Sequence, residues 1–282
     1  MLDRALERLP IFRLSDSAEG SAISLSNGQG ARWRVLPAPG ERLPGTFDQD
    51  VYVELLRRYA ESGSPDDGTL VFTLHAFLRS IGRKVDGRNY ELLRGSLARL
   101  ERSTLEAHGG YASLVTPPSP SRVRTERGRA SRRFSILSSV VIERRRVAER
   151  GQLSLFPALA SGEPGDVRAT LGAIIRENLA AGRTSSIVLG KYLALGSPVA
   201  RRIYRLLAAS TDAGANVYRV SLDRMAELLP LTQRYPSHLL RVLHPAHDQL
   251  VETGIVREVR TDRGARRWRL IYEGLHQGVE ED

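Results

Sequence analysis

The chain has no cysteine among its 282 residues, which excludes disulfides, thiolate metal sites and cysteine nucleophiles. Lysine is nearly missing too: Lys84 and Lys191 are the only two, and the other 40 basic residues are arginines. Nowhere do 18 apolar residues run together, so no stretch has the length of a membrane-spanning helix. Residues 1–14 mix Asp3, Arg4, Glu7, Arg8 and Arg13 among their apolar residues and lack the unbroken apolar core of a signal peptide. A cytoplasmic protein is the expectation.

Catalytic signatures are missing as well. Gly190-Lys191 is followed by Tyr192 and lacks the upstream glycine and the Ser/Thr of a P-loop, which argues against ATP hydrolysis. No G-x-S-x-G elbow occurs. Of six histidines, only His244 and His247 are close in sequence, without cysteine or a carboxylate cluster beside them. The paired histidines of rolling-circle nickases are absent. The chain is expected to be no enzyme and to carry neither metal nor cofactor.

What is present is base. Lys+Arg number 42 against 32 Asp+Glu, a formal charge of +10 and a pI near 10.4, which points to a polyanionic partner. Codon bias would explain arginine over lysine, but not the excess of base over acid. Apolar residues at 41% and charged residues at 26% fit a globular chain.

The pattern predicts an α+β fold of two tandem winged-helix domains, each a helix-turn-helix followed by a β-wing. Residues 1–46, broken repeatedly by Gly and Pro, read as a flexible arm with one short strand, 31–36, in which Trp33 and Val35 alternate with Arg32 and Arg34. Residues 47–150 read as the first winged helix. Their three helices begin near Phe47, at Leu74 after the capping Thr73, and at Asn89. Strands at 104–115 and 133–142 follow, joined by a Pro/Ser/Arg-rich loop. Residues 151–185 read as a linker, Gly/Pro/Ser-rich at first and then helical from 167 to 181. Residues 186–282 repeat the order: helices from Pro198, Leu222 and Pro236, then wing strands at 255–260 and 268–272.

The charge falls on the predicted wings. Residues 122–150 hold ten arginines against three acids, and residues 255–272 hold six against two. Candidate phosphate contacts are Arg122, Arg124, Arg127, Arg129, Arg132, Arg133, Arg263, Arg266 and Arg267. Candidate readers on the third helix of the first copy are Arg88, Asn89, Arg99 and Arg102, with Arg83 and Lys84 in the basic turn before it as further DNA contacts. In the second, Ser237, Arg241 and His244 share a polar face with Asp248 at i, i+4, i+7, i+11, and Arg234 and His238 sit at the helix start. Pro245 is expected to kink that helix or confine reading to its first turns.

One segment carries a family likeness. Tyr192 to Leu207, YLALGSPVARRIYRLL, resembles the start of the second winged helix in iteron-binding plasmid replication initiators of the replication initiator protein A type. Its core is Arg202-Ile203-Tyr204-Arg205, preceded by Arg201. The resemblance implies binding to direct repeats of double-stranded DNA at an origin, melting of adjacent DNA, recruitment of host replication proteins including the replicative helicase machinery, and a monomer–dimer equilibrium. Gln152-Leu153-Ser154-Leu155-Phe156 is similar to the motif with which bacterial proteins dock on the β sliding clamp: a glutamine for paired hydrogen bonds, leucine and phenylalanine for apolar pockets. The same five residues could also pack on a neighbouring domain. Two other readings stay open: a winged-helix transcription regulator, and a DNA partition or scaffold protein.

Overall fold

A computed structural model describes residues 1–14, 22–115, 130–144, 164–211, 215–233, 235–264 and 267–275. The first 46 residues are not an arm. A two-residue strand β1 (Leu2–Asp3) and a single turn α1 (Arg4–Glu7) lead into a strap whose Leu9, Ile11 and Phe12 are buried. Asp3 caps the turn, accepting from the N–H groups of Ala5 and Leu6. Strands β2 (Ile23–Ser26) and β3 (Arg32–Leu36) form an antiparallel hairpin that buries Ile23, Leu25, Trp33 and Val35 on one face. The indole Nε1 of Trp33 donates to the Pro10 carbonyl at 2.7 Å. The glycines that suggested an arm are turn residues: Gly28 and Gly30 take φ of 73° and 87°, which glycine adopts at little cost.

A first unit follows. Helix α2 (Thr46–Glu61) starts where Asp48 reaches back to accept from the Gly45 N–H at 2.6 Å. Strand β4 (Thr69–Thr73) ends on Thr73, whose Oγ1 caps α3 (Leu74–Ser80). Asp86 caps α4 (Gly87–Arg102), which buries the stripe Leu93, Leu97 and Leu100.

Beyond α4 the expected hairpin of 104–115 with 133–142 is replaced by two sheets. Strand β5 (Thr104–His108) pairs with β3 and with β6 (Ser131–Phe134), giving a four-stranded sheet in the order β2-β3-β5-β6. Residues 110–115 between β5 and β6 are helical (α5, Gly110–Val115). Strand β7 (Leu137–Arg144) then leaves for a second sheet, where it pairs with β8 (Pro164–Leu171), and β8 with β4.

So 151–185 is not a linker. Residues 145–163, which include Gln152–Phe156, lie outside the described residues. The rest of the segment is β8, α6 (Ala173–Ala180) and β9 (Thr184–Ser185), the last paired with β1. Val167, Ala169 and Leu171 alternate inward as a strand does. Reading Leu171, Ile174, Ile175 and Leu179 together as one helical stripe hid that alternation.

After α7 (Leu189–Ala194) the second unit repeats the scheme. It runs α8 (Pro198–Ser210), β10 (Val217–Ser221), α9 (Leu222–Leu228), α10 (Pro236–Glu252), β11 (Glu258–Arg263) and β12 (Trp268–Glu273). Its sheet order is β10-β12-β11, and that of the first unit is β4-β8-β7. In both, the strand before the second helix pairs with the last strand, which also pairs with the strand after the third helix. The duplication therefore holds at the level of topology, with β5-α5-β6 inserted in the first unit. Helix α10 runs through Pro245 without interruption. The architecture is a mixed α/β fold, and buried residues of both units belong to one hydrophobic cluster.

Candidate nucleic-acid interface

Helix α10 presents the clearest polar face. Ser237, His238, Arg241 and His244 are all exposed on it, and His244 Nδ1 lies 2.8 Å from Asp248 Oδ2 one turn on. Tyr235, at the N-cap, is 69% exposed, with its ring edge-on to His238 at 5.7 Å. An isolated aromatic before a proline carries no periodic signal, so Tyr235 does not stand out in the sequence. Arg234 lies outside the described residues. On the hairpin that follows, the Arg263 guanidinium sits over the Trp268 ring at 5.5 Å and Arg267 is exposed, while Arg266 is outside the described residues.

The first unit divides its candidates. Lys84 and Arg88 are exposed at the start of α4. Asn89 is held locally: its Nδ2 donates to the Lys84 carbonyl at 3.0 Å and to Asp86 at 3.1 Å. Arg83 lies 3.8 Å from Asp50, with its guanidinium over the Phe47 ring. Arg99 faces inward rather than toward solvent. It grips Asp48 of α2 in a bidentate pair at 3.0 and 2.7 Å and is mostly buried. Arg102 pairs with Glu41 at 2.6 Å. Arg99 lies off the apolar stripe but on the flank that α2 covers, whereas Arg102 stays on the solvent side, 58% exposed.

Arg132 and Arg133 are exposed, yet they belong to β6 and not to a wing. Arg133 pairs with Glu106. Arg32, Arg34 and His108 fall on the same face by register, and Arg34 also approaches Glu106 at 3.5 Å. These residues were missed, although the alternation Arg32-Trp33-Arg34-Val35 already marks one basic and one apolar face. Arg122, Arg124, Arg127 and Arg129 lie outside the described residues.

The two neighbouring histidines diverge. His247 turns inward from α10, with Nε2 3.0 Å from the Tyr272 hydroxyl. Burial pulls its pKa down to about 4, with the nearby His244 acting in the same direction. A depressed histidine contributes stability that is complete above the unfolded value of about 6.5 and drains away as pH falls toward 4. Asp3 acts in the opposite sense. Burial raises it to about 6, so its contribution is complete at low pH and is lost as pH rises through 6. His247→Gln should therefore remove about 2 kcal/mol of the stability loss between pH 6.5 and 4.5. Urea melts across that range test this, and an unchanged acid limb would refute it.

The segment bearing the family likeness turns out to be interior. Arg202 and Arg205 are buried against Glu7 of α1, and the Tyr204 hydroxyl accepts from the Val188 N–H at 2.9 Å. Among the described residues no group of three His, Asp or Glu side chains could hold a metal ion, and no helix is long and apolar enough to cross a membrane.

In fold, the chain resembles two proteins of known structure. Domains 2 and 3 of RctB, as a selenomethionine derivative, match with a TM-score of 0.63 at 12% identity, over 97% of this chain and 99% of that one. A second structure of the same RctB domains matches at 0.56 and 12%, over 96% of each chain. The Pi initiator protein in complex with iteron DNA matches at 0.52 and 12%, over 91% of this chain and 100% of that one. No curated protein matches the chain in sequence. The profile of the family described as replication initiator protein A, however, matches residues 2–248. The chain belongs to the replication initiator protein A family.

Proposed function

We propose that the chain is a replication initiator that binds repeated duplex sites through two winged helices. The observation that carries this is the repeated topology. Each unit of a chain in an initiator family places a third helix, α4 or α10, beside a hairpin, β7–β8 or β11–β12. The likeness to Pi, a protein solved on iteron DNA, supports the same reading. The third helices would read base edges in successive major grooves, and the basic β11–β12 hairpin would grip phosphates. The chain performs no chemistry itself in this reading, but prepares DNA for host enzymes, the replicative helicase among them.

Footprinting on DNA flanking the gene tests the proposal. Protection of regularly spaced direct repeats is the expected result. A lone palindrome would favour a transcription regulator, and indifference to sequence at ~150 mM salt a partition or scaffold protein. Within the repeat, Arg241→Ala should cost about 1–3 kcal/mol at one base position and relax discrimination there. Arg267→Ala should weaken all duplexes alike and lower the salt slope by about 1. Equal effects of both changes on specific and random DNA would contradict this division of labour.

Recruitment of the β sliding clamp through Gln152–Phe156 belongs to the same proposal and rests on sequence alone. The double substitution Leu155→Ala, Phe156→Ala should abolish clamp pull-down and spare DNA binding. Retained pull-down would exclude the motif.

A further inference from the structure

Three elements meet in one buried polar cluster. Glu7 closes α1, Gln49 and Asp50 lie on α2, and Arg201, Arg202 and Arg205 lie on α8. Glu7, Arg202 and Arg205 are 1%, 2% and 1% exposed. Arg205 donates to both carboxylate oxygens of Glu7 at 2.8 and 2.9 Å, and to Gln49 Oε1 at 3.0 Å. Arg202 donates to Glu7 Oε2 at 3.2 Å and to the carbonyls of Glu7 and Leu9, both at 2.9 Å. Gln49 Nε2 returns a bond to the Pro198 carbonyl at 3.2 Å. Beside it, Asp50 accepts from Arg201 at 2.6 Å and from the Tyr192 hydroxyl at 2.8 Å.

The cluster connects to both third helices by direct bonds. Asp48, next to Gln49, holds Arg99 of α4. At the other end, Gln249 of α10 accepts from the N–H of Ser197, the N-cap of α8, at 2.9 Å. A path of short polar contacts, joined through the backbone at Asp48–Gln49 and Ser197–Pro198, thus runs from α4 through α2 and α8 to α10. An apolar junction would tolerate sliding, because burial of apolar area is non-directional. A buried charge network does not. Its ion pairs form in one relative orientation, in which only Arg205 Nε among the cluster's guanidinium atoms is left buried without a hydrogen bond, and any other orientation leaves whole ions buried without partners.

We infer that this cluster is a ruler that sets the separation and phase of α4 and α10, so that the chain accepts paired half-sites at one spacing only. The DNA consequence rests on the initiator reading; the rigidity of the junction does not. Each inserted base pair moves one half-site by ~3.4 Å and turns it by about 35°. A rigid bivalent reader then loses its second contact, whereas a loosened one follows.

Two measurements on the full chain test the ruler, with Glu7→Gln and, separately, Gln49→Ala as variants. The second leaves every charge paired and carries both measurements should the first fail to fold. Because the chain lacks cysteine, spin labels can be attached singly at Glu91→Cys on α4 and Glu252→Cys on α10. The expected result is one narrow distance distribution in the parent, broadened in both variants. On duplexes with two half-sites, a 2-bp insertion should cost the parent about 100-fold in affinity and the variants less than about tenfold. Binding to an isolated half-site should be unchanged. A broad distribution in the parent overturns the ruler, as do variants that keep the parent's narrow distribution and spacing penalty. A narrow parent distribution, broadened in the variants, with no preference for repeats over random DNA would sink the initiator reading instead and leave the rigid junction standing.

Discussion

Trp33→Ala is expected to lower the unfolding free energy by about 4 kcal/mol, among the larger losses a single core truncation produces. Trp33 is fully buried, packs near Phe134 with ring centroids 6.2 Å apart, and donates to the Pro10 carbonyl. Its loss opens a cavity between the strap and the four-stranded sheet and orphans a carbonyl. A residue on a solvated arm would cost less than about 0.5 kcal/mol. Chemical denaturation separates the two cases, and a loss under about 1 kcal/mol would return residues 1–46 to the status of an appendage.

Arg99→Ala is expected to cost about 3 kcal/mol in stability while leaving base discrimination intact. The substitution strands the buried Asp48 carboxylate, which keeps only the Gly45 N–H and its place in the first turn of α2. Arg88→Ala, at an exposed position on the first turn of the same helix, should do the reverse: little change in melting, weaker and less selective DNA binding. Melting curves and competition binding on the two variants decide the assignment. Loss of discrimination in a fully folded Arg99→Ala protein would put that arginine back among the readers.

Helices whose caps and stripes agree were legible from sequence. Thr73, Ser221 and Pro198 mark true starts, and α10 runs from Pro236 to Glu252 as its pattern predicts. Strand partners were not legible. Pairing is decided by tertiary contact, and nothing in the residues of β5, β6 or β7 states which sheet they join. Likewise, periodicity separates a buried face from its opposite but not a flank covered by a neighbour from one facing solvent, so Arg99 and Arg88 looked alike. Gly and Pro marked turns in residues 1–46; counting them as disorder overlooked Leu2, Leu6, Leu9, Ile11 and Phe12, enough apolar residues to hold the strap in place. Helix α10 continues through Pro245, where the packing of Leu243, Ala246 and Leu250 outweighs one missing backbone bond. The likeness of Tyr192–Leu207 to initiators pointed to the right family, but not to the task of its arginines inside the molecule.

The seat of Glu7 also imposes an order of events during synthesis. Its partner Arg202 lies 195 residues further along the chain. At about 5–20 residues per second, the carboxylate leaves the ribosome roughly 10–40 s before the guanidinium that will neutralise it. Through that interval the strap has no ionic partner on α8, and the first unit can close only its local contacts. The two units are welded by one of the last helices to emerge. A truncated or stalled chain would therefore display a first unit without the geometry that couples it to the second.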